Sequence, residues 1–235
     1  MRHLATTPAP SAPATGLRLL AAAIIGLAAL GAQAGDDMPA MDHSHHHSME
    51  GMTADEHAHH GHEGHAMVDG QDAKTSRASY TLPKLSLVRQ DGTRVELARA
   101  LGDGRPVVMN FIYTSCTAIC PVTSQIFADF RAKLGADAKG VNVVSISIDP
   151  DYDTPQRLAT YAGHFEADQN WSFYTGTLKD SVEVQKAFNT FRGDKMNHAP
   201  VTFMRAAKSQ EWVRIEGFAN ADVLLAEYRK LAKGS

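Results

Sequence analysis

Residues 106–121 read PVVMNFIYTSCTAICP, and this stretch constrains the fold more than any other part of the chain. Val107–Tyr113 is an apolar run without alternation, the pattern of a central strand buried on both faces. Both cysteines of the chain, Cys116 and Cys120, follow at once. Pro121 then opens PVTSQIFADFRAKLG, in which Ile126, Phe127, Phe130 and Leu134 share one helical face and Gly135 is placed to end the helix. A buried strand therefore runs into a cysteine turn, and the turn runs into a helix. One possible disulfide cannot staple a fold of this size, so stability must come from an ordinary apolar core.

The rest of the chain extends the pattern. SYTLPKLSLVRQDGTRVEL carries two short alternating runs around Asp91-Gly92, a hairpin signal. VNVVSISID is a second buried strand, and TPQRLATYAGHF is a helix capped by Asp153 or Thr154 with Pro155 in its first turn. A shorter helix is predicted over DSVEVQKAFNTF. PVTFMRA and EWVRIEGF read as paired strands, and NADVLLAEYRKLA reads as a closing amphipathic helix capped by Asn220. The order hairpin, β, α, β, α, α, β, β, α is α/β and matches the thioredoxin arrangement with an N-terminal β-hairpin extension. That arrangement predicts a cis bond between Ala199 and Pro200, beside the cysteine loop.

The N-terminal part has a different character. Arg2 and Arg18 precede the apolar run Leu19–Ala32, and Ala32-Gln33-Ala34 has the small-x-small form of a cleavage site. The run is 14 residues long, short of the roughly 18 to 20 that a membrane span needs. Residues 1–34 are thus expected to be a signal peptide, leaving no integral membrane span after cleavage. No cysteine follows the run closely enough to carry a lipid anchor. Export in turn means that free thiols tend to oxidise unless kept reduced or occupied.

Residues 35–78 are expected to be a disordered, acidic His/Met-rich segment, and residues 79–235 a single domain. The segment holds His43, His45, His46, His47, His57, His59, His60, His62 and His65, together with five methionines from Met38 to Met67. Imidazole binds copper, zinc and nickel, whereas thioether selects copper(I), so interleaved His and Met point to copper. Residues 35–73 carry nine acidic and no basic side chains, which leaves the remainder of the chain mildly positive. That excess is too small for a nucleic-acid partner, and no basic cluster with interleaved aromatics supports one.

Three roles compete for the cysteines: a disulfide, a redox nucleophile or a metal site. A helix N-terminus favours thiolate over thiol, and thiolate is both the nucleophile and the metal ligand. Positions i and i+4 on a helical turn have Cβ atoms roughly 5–6 Å apart, whereas a disulfide prefers about 3.8 Å. The spacing tolerates both states and slightly favours metal. Copper(II) asks for a further nitrogen or oxygen donor. His198, two residues before Pro200, is brought beside the cysteine loop by this fold. Cys116, Cys120 and His198 form the candidate copper set, and Cys116 and Cys120 are the catalytic pair if the chemistry is redox. His164 is read as a surface residue, and Met196 as a side chain that could approach the site, with core packing as its favoured role. In DPDYDT, Thr154 and Thr160 occupy the positions where an EF-hand needs Gly and Glu, so that segment is a turn and helix cap.

Taken together, VVMNFIYTSC, the C-x-x-x-C-P motif at Cys116, Cys120 and Pro121, SIDPDYDTP, and the later His198 resemble the Sco/SenC family of copper proteins of cytochrome c oxidase assembly. The resemblance covers roughly residues 80–233. It implies a thioredoxin fold that binds copper(I) or copper(II) at the membrane's periplasmic face. Such a protein delivers copper to the dinuclear site of an oxidase subunit, or keeps that subunit's cysteines reduced as a thiol–disulfide oxidoreductase. The implied partners are a copper-receiving oxidase subunit or another periplasmic copper chaperone, and a thiol reductant. One departure is Asn197-His198-Ala199-Pro200, where family members usually carry Asp-His-Ser or Asp-His-Thr. A peroxidase reading ranks last, because Thr114 lies two residues before Cys116 rather than three.

Overall fold

The computed structural model describes residues 73–233. The expected signal peptide and the nine histidines from His43 to His65 lie outside the described residues. The elements are β1 (Lys74–Ser79), β2 (Ser86–Arg89), β3 (Arg94–Glu96), α1 (Leu97–Ala100), β4 (Val107–Ile112), α2 (Ile119–Leu134), β5 (Asn142–Ser147), α3 (Pro155–His164), β6 (Trp171–Thr175), α4 (Leu178–Ala187), β7 (Val201–Arg205), β8 (Glu211–Glu216) and α5 (Ala221–Lys233). They form one eight-stranded sheet in the order β1-β8-β7-β4-β5-β6-β2-β3.

β4, β5 and β6 pair in parallel and the outer strands pair antiparallel. The parallel centre needs cover on both faces, and every residue of β4 and β5 is accordingly buried. On one face, Phe127 of α2 packs on Trp171, Tyr161 of α3 packs on Phe173, and Phe130 meets Tyr228 of α5. On the other face, Phe188 at the end of α4 contacts Phe111, Phe203 and Trp212, and Tyr80 closes the cluster. Rings of this size are among the largest fully buried side chains of the fold.

The expected elements form, with differences that have physical causes. The hairpin turns at Gly92, whose φ of 83° is left-handed and favours glycine. Thr154 caps α3, its side chain accepting from Arg157 N, and Asn220 accepts the N–H of Val223 at the start of α5. α4 starts earlier than the periodicity indicates, because Thr177 and Asp180 form a reciprocal capping box. α2 begins at Ile119, two residues before Pro121.

Two strands carried no clear signal. β6 is a short apolar piece, too brief for a period to show. β1 lies partly in the stretch expected to be disordered, and it pairs with β8 over six residues from Lys74 to Ser79. Its side chains are almost all exposed, so main-chain hydrogen bonds hold it and its polar sequence gives no alternation. The domain therefore starts several residues before Ser79.

Candidate metal site at the cysteine turn

Cys116 and Cys120 sit where β4 hands the chain to α2. Ala118, the N-cap of α2, provides no side-chain cap. An uncapped helix start leaves main-chain N–H groups seeking acceptors. The Cys116 sulfur fills that role, accepting from the N–H of Cys120 at 3.5 Å. Pro121 falls in the first turn, where a missing N–H costs nothing. Cys120 points inward, is fully buried, and accepts the N–H of Tyr113 at 3.4 Å. Both cysteines are free thiols.

Their environments push the two sulfurs apart. Burial raises the Cys116 thiol, but the N–H groups of Cys120 and Ala118 and the Tyr113 hydroxyl outweigh it and hold Cys116 below the ordinary value of 9.0. Burial pushes Cys120 well above that value, and a charged Cys116 nearby adds to the shift. Tyr113 is pushed up to about 12, first by burial and then by its contact with Cys116. The turn thus presents one accessible, activated sulfur and one sequestered partner.

The turn is anchored from below by a residue whose sequence context, DPDYDT, signals only a turn and helix cap. Asp153 is fully buried, and its carboxylate accepts the N–H of Thr114 at 3.2 Å, the Thr114 hydroxyl at 2.5 Å and the Ser147 hydroxyl at 2.5 Å. Ser147 in turn accepts the N–H of Asp149 at 3.0 Å. Two loops, one leaving β4 and the other leaving β5, are tied through a single carboxylate. No linear signal marks this, because Thr114 and Asp153 are far apart in sequence and meet only across the β4–β5 ladder.

His198 is buried near the same end of β4 but is engaged elsewhere. Its Nε2 lies 3.0 Å from the carbonyl oxygen of Phe111. A carbonyl only accepts, so Nε2 carries the proton and Nδ1 keeps the lone pair. Burial lowers the imidazole below its usual 6.5, which keeps it neutral. Phe111 lies one residue beyond the last β4–β7 pair, Asn110 with Thr202, and the imidazole takes the place of a strand neighbour there.

The expected cis bond at Ala199–Pro200 is corrected, since all described peptide bonds are trans. The hydrogen bond to Phe111, rather than a bend at Pro200, sets the imidazole's position. Among the described residues, no group of three His, Cys, Asp or Glu side chains is arranged to hold a metal ion. The structure brings Cys116 and Cys120 together and leaves His198 on Phe111.

His164 is exposed, as expected for a surface residue. Met196 is 72% exposed, so its expected place in the core is corrected. It sits on a 3-10 turn, Lys195–Asn197, and its thioether accepts from the Tyr113 hydroxyl at 3.7 Å. Lys195 pairs with Asp149 at 2.5 Å and lies 5.6 Å above the Tyr113 ring. No helix among the described residues is long and apolar enough to cross a membrane.

A family model described as SCO1/SenC matches residues 73–233. The chain is 31% identical over 106 residues to the SCO1 protein homolog of Bacillus subtilis (strain 168), a match covering 45% of this chain and 54% of that protein. It therefore spans about half the length of that relative. BsSco, a member of the Sco family of cytochrome c oxidase assembly proteins in which a disulfide switch was identified, superposes with a TM-score of 0.56 at 25% identity, over 67% of this chain and 96% of that one. ScoI of Bradyrhizobium japonicum with copper bound shares the fold at a TM-score of 0.53 and 21% identity, over 66% of this chain and 99% of that one.

Proposed function

Because the chain belongs to the SCO1/SenC family, we propose that it is an exported, periplasmic copper chaperone that loads the dinuclear copper site of a cytochrome c oxidase subunit. Cys116, Cys120 and His198 are its copper ligands. The observation that carries this reading is the reduced cysteine pair at an uncapped helix start, with a buried neutral imidazole at the end of the preceding strand.

Copper is the cargo here. Two thiolates satisfy copper(I), and copper(II) asks for the imidazole as well. The N–H groups around Cys116 already favour its thiolate, so that sulfur meets the ion first. Cys120 gives up its proton only on coordination, because burial, and next to it a charged Cys116, hold the thiol protonated. His198 joins through Nδ1, or through Nε2 once Phe111 is released. The nine tail histidines, His43 to His65, collect copper and raise its concentration near the domain.

A second reading rests on the asymmetry of the two sulfurs. An activated, half-exposed Cys116 beside a sequestered Cys120 is the arrangement of a thiol reductant. The Cys116 thiolate attacks a partner's disulfide and releases one partner thiolate. Cys120 then loses its proton and displaces the second, leaving a Cys116–Cys120 disulfide and a reduced partner. The two readings share the same sulfurs and so exclude each other at any moment, since a disulfide sulfur has no charge to give a metal.

Titration of the reduced and the oxidised protein with copper, each with and without His198→Ala, tests both. The chaperone reading expects cysteine-centred binding only in the reduced state, and weaker copper(II) without the histidine. Unchanged copper(II) affinity in the histidine variant moves the assignment to thiol reduction.

A further inference from the structure

Met196 is the most exposed of the large hydrophobic side chains among the described residues, at 72%. A thioether placed in water stabilises no core. Its main chain is nevertheless held firmly: the Met196 N–H donates to Asp194 Oδ1 at 2.9 Å, and the Asn197 N–H donates to the Asp194 carbonyl at 3.0 Å. The neighbouring Lys195 ties the turn to Asp149 at the end of β5. The turn thus presents Met196 in a set position.

That position faces the cysteine turn. The Tyr113 hydroxyl donates to Met196 Sδ at 3.7 Å, while the main chain of Tyr113 donates its N–H to Cys120 Sγ at 3.4 Å and accepts the N–H of Cys116 at 3.2 Å. One residue, Tyr113, thus holds the thioether through its side chain and both cysteines through its main chain. His198, two residues further on, is occupied with Phe111. In this conformation the loop offers sulfur, rather than nitrogen, to the cysteine pair.

Two thiolates and a thioether make an all-sulfur donor set, which favours copper(I) over copper(II). We propose that Met196 is a third ligand for copper(I), used while His198 remains on Phe111, and that Tyr113 holds the thioether ready beside Cys116. The inference rests on the copper-handling reading above and adds a ligand to it. Copper(I) enters on sulfur alone, and the imidazole is kept for the oxidised ion. On entry the two thiols lose their protons to solvent, and the Tyr113 hydroxyl gives up its bond to Met196.

The test uses the full chain under anaerobic reducing conditions, with copper(I) set by a competing chelator. Cys116 is alkylated with iodoacetamide and read by peptide mass, so copper held by the tail does not enter the measurement. Met196→Leu keeps the volume, and at an exposed position it does not threaten the fold. It should raise the free copper(I) needed for half-protection of Cys116 by about tenfold or more, in the range expected when a metal site loses a supporting group. Half-protection at the same copper(I) as the unaltered chain overturns the role of Met196. Cys120→Ser tests the underlying reading separately, since copper(I) should then protect Cys116 poorly. Undiminished protection in that variant overturns the cysteine-pair site itself.

Discussion

Asp153 accepts both the main-chain N–H and the hydroxyl of Thr114, so the loop after β5 fixes the loop that carries Cys116. The Ser147 hydroxyl shares the same carboxylate. Asp153→Ala strands these donors in a buried site, at about 1–3 kcal/mol for each unsatisfied group. Urea denaturation should show a loss of that order, and Asp153→Asn, which keeps the shape and one acceptor oxygen, should lose less.

The same residue gives a pH signature. Burial holds Asp153 above the ordinary 3.8, against hydrogen bonds from Ser147 and Thr114 that pull it down. The folded state then binds this proton more tightly than the unfolded chain does. Its contribution to stability is fully present below the unfolded value and is lost as pH rises through the folded value. Between about pH 3 and 7 the denaturation midpoint of Asp153→Asn should therefore gain on that of the unaltered chain as pH rises.

The two cysteines should react in a fixed order. Cys116 is half-buried and held below the usual thiol value, whereas Cys120 is fully buried and pushed above it. Each unit between two pKa values changes the relative thiolate population about tenfold. Timed alkylation of the reduced protein at neutral pH should label Cys116 first, with Cys120 labelled only on unfolding. Equal rates would remove the basis for an attacking and a resolving sulfur.

His198 has a structural and a chemical role that separate by substitution. Its Nε2–H satisfies the Phe111 carbonyl, so His198→Ala should cost about 1–3 kcal/mol in a denaturant titration. If the imidazole is also a ligand, the same variant loses more affinity for copper(II) than for copper(I), because two thiolates alone suffice for the reduced ion.

The histidine-rich stretch from His43 to His65 makes a further prediction. Deleting residues 35–72 should lower the copper bound per molecule and slow loading at limiting copper, while the cysteine site remains. Intact mass of the exported protein should place its first residue at Gly35. A deletion that alters neither stoichiometry nor loading rate would leave the stretch as a linker.

What the sequence by itself determined follows from local rules. An unbroken apolar run, a hairpin at Asp91-Gly92, a cap at Thr154 and a cap at Asn220 each act over a few residues, so each is legible in the linear order. The cysteine turn was legible for the same reason, since Cys116 and Cys120 lie within one helical turn of each other. Contacts made by register were not. Thr114 meets Asp153 only because β4 and β5 run in parallel and release their loops at the same end of the sheet. β1 is held by backbone pairing that needs no apolar side chains, and β6 is too short to show a period. The place of His198 was also decided in three dimensions. Its distance from the cysteines in sequence allows many positions, and an acceptor left free where the β4–β7 ladder ends draws the imidazole to Phe111. Met196 likewise has an apolar composition that points to the core, yet the ion pair of Lys195 with Asp149 holds its turn at the surface beside Tyr113.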